Sequence, residues 1–317
     1  MATSGEQVLA VVRVAELPSE ELAERWLVEQ LWCARAVGVI GGAPKCAKTW
    51  LGLDMALSIA TGTPCLGKYA VPEPGPVLVY LAEDALRAVR ERIEGMARHR
   101  GLDLDEVEIH VITVPVLRLD HDRDRTRLWE TVRRLRPRLL VLDPLVRLHG
   151  IDENHAGEVA ELLGYFRTLQ RELGLSVLLV HHTRKNAADG VAAGQGLRGS
   201  GDIHAFGDSN LYLQRAEKHL ILSSEHRAAP ASAPVYLELV ATDAGTTHLE
   251  VIAGSDDQNG RGLEEQVLNL LAQGEVHTRT WLRDALAVNN ERLGKALESL
   301  ERAGRISHTL RGWQGRR

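Results

Sequence analysis

Eight residues, Gly42-Ala43-Pro44-Lys45-Cys46-Ala47-Lys48-Thr49, carry the clearest chemistry in this chain. They follow a short Val/Gly/Ile run at 37–42 and precede a helix-forming stretch at 48–61. A loop in that position points its backbone N–H groups together at a helix N-terminus, which makes an anion site. Within it, the Lys48 ammonium suits the β- and γ-phosphates of a nucleoside triphosphate, and the Thr49 hydroxyl suits Mg²⁺. Trp50, in the first turn, is counted with the loop as a nucleotide contact. The spacing is the Walker A pattern GxxxxGK[ST] with one departure, Ala47 in place of its second glycine. Alanine costs little there if φ is negative, and ~1 kcal/mol if the loop needs positive φ.

Three more runs end in groups that phosphate cleavage needs. LLVLDP (139–144) delivers Asp143 in the Walker B manner, a carboxylate placed to hold Mg²⁺ through water. VLVYLAED (77–84) ends at Glu83 and Asp84, where a carboxylate can polarise an attacking water. SVLLVHHT (176–183) ends at His181 and His182, where a polar group can sense the γ-phosphate. Any one of these alone reads as a solvated strand end; three beside a phosphate loop read as a site.

Positioning such groups requires a sheet whose strands share a carboxyl edge. The runs 37–42, 77–84, 107–113, 139–144 and 176–183 are nearly continuous in Val, Leu and Ile, as strands buried on both faces must be. Helical stretches at 48–61, 85–100, 123–135 and 156–173 separate them, which predicts an α/β fold with a mainly parallel sheet. Four closely spaced runs, 209–215, 219–227, 235–241 and 248–253, read as an antiparallel extension of that sheet. A polar, Gly-containing linker is expected at 255–262. Helices near 263–273, 278–287 and 290–303, then a two-stranded run at 305–313, give the order of a winged helix-turn-helix. An oligomerisation or capping module of three helices is the alternative for this part. The expected organisation is an N-terminal arm (1–20), a P-loop domain (21–254), the linker and a small α+β domain (263–317).

In matching order, the segments 41–62, 79–84, 139–154, 178–185 and 196–209 resemble RecA-type hexameric P-loop ATPases, most closely the RepA group of plasmid replicative helicases. The resemblance spans about residues 21–240. It implies ATP and Mg²⁺ as cofactors, Glu83 as catalytic base, Lys48 and Thr49 on phosphate and Mg²⁺, Asp143 on Mg²⁺ and His182 as sensor. It also implies a homo-hexameric ring with active sites between subunits. SEHRAAP (224–230) resembles the Lys-x-Arg segment that helicases of the DnaB and RepA type insert into the neighbour's site; Arg227 matches the arginine, while Glu225 stands in the lysine's place. Arg215 and Arg198 are rival fingers. In RecA-type proteins the loop corresponding to 184–202 lines a central channel, which makes Arg184, Lys185 and Arg198 candidate contacts to single-stranded DNA. A flexible lid over the nucleotide is the alternative for that loop.

Composition narrows the partners. The net charge of −5 is unlike a protein coated in basic surface. It hides an asymmetry: residues 261–317 carry ten Lys and Arg against seven Asp and Glu, leaving 28 against 36 elsewhere. Arg305 and Arg311 in the basic tail are candidate duplex contacts. With 44% hydrophobic and 26% charged residues the chain is neither disordered nor collagen-like. No apolar run nears the ~20 residues of a membrane span. The N-terminus does not read as a signal peptide, and Cys33, Cys46 and Cys65 form no disulfide or metal-ligand spacing. A cytoplasmic location and no membrane partner are expected. Two functions follow: a ring motor translocating on DNA for replication or a mobile element, or a DNA-associated regulatory or adaptor ATPase whose nucleotide switches assembly. Small-molecule phosphotransfer fits less well, since no acceptor-binding insertion is evident.

Overall fold

The computed structural model describes residues 9, 11–16, 25–152, 156–182, 201–216, 219–242, 245–252, 255–272, 276–286, 288, 290–309 and 312–315. The chain divides into two compact units, Met1–Val251 and Ile252–Arg317.

The first unit opens with a short antiparallel ribbon, β1 (Trp26–Val28) and β2 (Trp32–Cys33). There follow β3 (Val37–Gly42), α1 (Lys48–Thr61), β4 (Val77–Leu81), α2 (Leu86–His99), β5 (Ile109–Val111), α3 (Asp122–Leu135), β6 (Leu139–Asp143), α4 (Ala156–Leu173) and β7 (Ser176–His182). After α5 (Gly201–Phe206) come β8 (Ser209–Ala216), β9 (His219–His226), β10 (Val235–Ala241) and β11 (Thr247–Ile252). Among the described residues, nine strands form one sheet in the order β11-β10-β9-β8-β3-β7-β6-β4-β5. β3 is parallel to both β7 and β8, and β6 links β7 to β4 in parallel. The antiparallel extension therefore begins at β9, one strand later than the sequence pattern suggests. Strand β8 reads as a hairpin partner because only two residues separate it from β9; its other edge, set by a crossover through α5, is not visible in local pattern.

The nearly continuous apolar character of β3, β4, β6 and β7 is explained by helices on both faces of these strands. Leu128, Val132, Leu162 and Phe166 of α3 and α4 close one face. On the other, α1 buries Leu51, Leu53, Met55, Ala56, Leu57 and Ile59, so it is apolar almost all round. The sheet, the β1–β2 ribbon and the extension share one core with it, and α2 adds Val89, Ile93 and Met96 against Leu53 and Leu57. Gly38 allows the closest approach in this core. A Cβ there would lie 1.7 Å from the Ser209 carbonyl oxygen and 3.0 Å from the Trp32 ring.

The second unit contains α6 (Ser255–Leu271), α7 (Arg279–Leu286), α8 (Asn290–Arg302) and the antiparallel hairpin β12 (Ile306–Thr309) and β13 (Gly312–Gly315), with His277 bridging to Trp313. The segment expected as a linker, 255–262, is instead the first half of α6. Further along the same helix, Leu263, Val267 and Leu271 make a core with Leu282, Leu293, Leu297 and Ile306. Among the described residues, no helix is long and apolar enough to cross a membrane.

Candidate active site

Parallel pairing brings the carboxyl ends of β3, β4, β6 and β7 to one sheet edge: Gly42 lies opposite His182, and Leu81 opposite Asp143. Ligands in open α/β sheets bind at that edge. A cleft of ≈ 330 Å³ opens there, its walls including Lys48, Thr49, Trp50, Glu83, Asp143 and His182.

The loop between β3 and α1 takes two left-handed residues, Lys45 (φ 62°) and Ala47 (φ 57°, ψ 23°). Of the two cases open for Ala47, the positive-φ one holds. No side chain caps α1, so its first N–H groups point along the loop. Lys48 is buried and donates to the Gly42 and Ala43 carbonyls at 3.0 and 2.7 Å. Burial lowers its pKa, opposed by Cys46, Asp143 and Glu83.

Thr49 Oγ1 donates to Asp143 Oδ2 at 2.6 Å. Burial pushes the Asp143 carboxyl up to about 6, with the Thr49 hydrogen bond and Lys48 acting against it. A buried carboxylate whose ionised form is this costly, touching a hydroxyl beside a phosphate loop, is a hard-oxygen donor pair that fits Mg²⁺.

Glu83 and Asp84 lie on the turn between β4 and α2, just past a strand that ends at Leu81 rather than at the expected 84. Each meets an arginine that the sequence did not single out. Arg147 Nε is 2.7 Å from Glu83 Oε1, and Arg92 Nη1 is 2.5 Å from Asp84 Oδ2. Arg92 also lies over the Trp50 ring at 5.4 Å. His182 is half-buried in the cleft wall, while its neighbour His181 points into the sheet's core.

The arginines considered as fingers occupy different edges. Arg215, at the end of β8, donates to the Lys45 carbonyl at 2.8 Å and so touches its own subunit's loop. Arg227 lies at the opposite, amino edge, where it donates to the Ala205 carbonyl at 2.7 Å and pairs with Asp208 at 3.7 Å. Arg305 is exposed in the second unit. Arg184, Lys185, Arg198 and Arg311 lie outside the described residues.

Comparison with known proteins gives a consistent fold. Residues 3–188 match the family model described as AAA domain. Among solved structures, the chain is similar to the RadB recombinase at 18% identity and TM-score 0.50, over 69% of this chain and 92% of that one. It is similar to a second protein's ATPase domain at 15% identity and TM-score 0.50, over 68% and 84%. A DnaB-like replicative helicase, solved for its interactions with primase, aligns at 15% identity and TM-score 0.52, over 68% of this chain and 57% of that one.

Proposed function

The chain belongs to the AAA domain family and is an ATPase with a RecA-like P-loop core, and from that premise we propose a ring motor of the RepA-helicase kind acting on DNA. The observation that carries this reading is the convergence of Lys48, the Thr49–Asp143 pair, Glu83 and His182 on one cleft. In this reading the loop amides and Lys48 hold the triphosphate, and Thr49 and Asp143 would hold Mg²⁺, which would supply charge neutralisation to the phosphates. Glu83, released from Arg147, accepts a proton from the attacking water. His182, on the strand beside the loop, reads the γ-phosphate. Arg227 from a neighbouring copy completes the site within a homo-hexamer. Arg184, Lys185 and Arg198 track a single strand, and Arg305 and Arg311 contact duplex. The RecA-like fold shared with a recombinase and a replicative helicase supports DNA as the substrate.

A second reading, a DNA-associated adaptor ATPase whose nucleotide switches assembly, is favoured by one observation. Arg227 is tied to Asp208 and Ala205 of its own chain, so a trans role requires those contacts to break. Mass in solution with and without ATP·Mg²⁺, followed by hydrolysis with and without single-stranded DNA, separates the two. A motor gives a closed ring and DNA-stimulated turnover; nucleotide-dependent association with flat hydrolysis gives the adaptor.

A further inference from the structure

A second cluster of ligating side chains lies apart from the nucleotide cleft. His99 is the last residue of α2, and His248 and Glu250 sit two apart on β11, so both project from one face of that strand. The His99 and His248 rings stack with centroids 3.5 Å apart and planes 18° from parallel. His248 Nε2 is 2.8 Å from Glu250 Oε1. One ligand atom from each of the three residues lies within 4.8 Å of the other two. His248 is buried, its side chain 5% exposed, and its Nδ1 is buried with no hydrogen-bond partner. The three residues border a cavity of ≈ 340 Å³ that shares no wall residue with the nucleotide cleft.

We propose that His99, His248 and Glu250 form a binding site for a divalent transition-metal ion of the Zn²⁺ class, which fastens the end of α2 to β11. Two imidazoles and one carboxylate are a mixed N/O donor set, which suits Zn²⁺, Co²⁺ or Ni²⁺. Thr49 and Asp143 offer oxygen alone and suit Mg²⁺. Three protein ligands leave a further position for water or a donor from the cavity. The cations at the cavity wall have other partners. Arg100 is paired with Asp54 at 2.6 Å and bonds Ser58 and Thr63, and Lys68 lies over the Tyr69 ring. The same residues without a metal would be a stacked, hydrogen-bonded clamp.

The test uses the full chain stripped with chelator and titrated with Co²⁺, read by visible absorption and then by Zn²⁺ competition. His99 and Glu250 are exposed, so His99→Ala and Glu250→Gln are chosen, with melting of the metal-free variants checking that they fold as the parent does. One Co²⁺ per chain is expected, with affinity lowered more than about tenfold in each variant and unchanged in Asp143→Asn. Zn²⁺ should displace Co²⁺ and raise the melting temperature of the parent but not of His99→Ala. Equal Co²⁺ affinity in parent and His99→Ala, or loss in Asp143→Asn alone, overturns the site and leaves the clamp. The outcome is independent of whether the nucleotide site drives a motor or an adaptor.

Discussion

At the residue scale, the cleft has a strained alanine in its phosphate loop and a restrained carboxylate on the turn after β4. Ala47 holds φ 57°, a conformation that costs a residue with a Cβ roughly 1 kcal/mol and glycine almost nothing. Ala47→Gly should therefore raise stability by up to about 1 kcal/mol and preserve or modestly increase ATP turnover, as read by melting and phosphate release. A large loss of turnover would mean that the alanine's methyl contributes contacts the nucleotide needs. Glu83→Gln should keep the thermal shift on ATP·Mg²⁺ and slow hydrolysis by ~10²–10⁴, because the amide preserves shape and cannot take a proton. Turnover within a few-fold of the parent would transfer the role to Asp84. The Glu83–Arg147 pair is about half exposed and contributes little to stability. Arg147→Ala should then leave melting unchanged and raise basal single-turnover hydrolysis a few-fold; a fall would make Arg147 a positioning partner of Glu83. A hydrophobic run made the Glu83–Asp84 pair legible in the sequence, and the family resemblance singled out Glu83. Arg147 was not legible, since nothing local distinguishes an arginine that meets a carboxylate 64 residues away from one that meets water, and Arg92 reaches Asp84 across the β4–α2 turn in a way no local pattern marks.

At the element scale, the buried end of β6 gives the site a pH signature. Asp143 is raised from 3.8 to about 6, so the folded chain holds this proton more tightly than the unfolded chain does. The stability linked to that proton is full below about pH 3.8 and is lost as pH rises towards 6, a difference of about 3 kcal/mol for a 2-unit shift. Asp143→Asn should accordingly raise the melting temperature of the nucleotide-free protein at pH 7.5 and not below pH 4. It should also abolish the further stabilisation by ATP·Mg²⁺. A variant that melts below the parent at pH 7.5 would show that Lys48 needs the ionised Asp143 more than the site suffers from its burial. Elements with long apolar runs were readable in advance: α1, α2, α3 and β6 begin and end within about two residues of the positions expected from pattern. The β1–β2 ribbon was not, because three- and two-residue strands carry no periodicity, and the buried Trp32 ring lies against Gly38 of β3, a contact no local pattern shows. The helical start of α6 was hidden for the opposite reason. Ser, Asp, Gln, Asn and Gly at 255–260 match a loop by composition, and the helix there is stabilised by the apolar face further along.

At the scale of the whole molecule, each unit has its own core. Leu263, Val267, Leu282, Leu297 and Ile306 make one in the second, while every group named at the nucleotide cleft belongs to the first. Removing residues 255–317, from the first residue of α6, leaves β11 whole and cuts no strand of the large sheet. The shortened chain should keep the full thermal shift on ATP·Mg²⁺. What it should lose is duplex affinity. Helix α8 turns Leu293, Ala296, Leu297 and Leu300 inward and carries Glu298 and Glu301 among its basic residues, so its outward surface is too mixed for a strong phosphate grip. The run beyond it holds Arg305, Arg311, Arg316 and Arg317, so on the proposed function the 305–317 segment should lead the duplex contact, with little base readout expected. Comparing both chains on duplex DNA at matched low salt is decisive, because phosphate contacts fade steeply with ionic strength. Equal affinity would remove DNA as the partner of this unit, whereas a loss of oligomer with unchanged DNA binding would assign it to contact between copies.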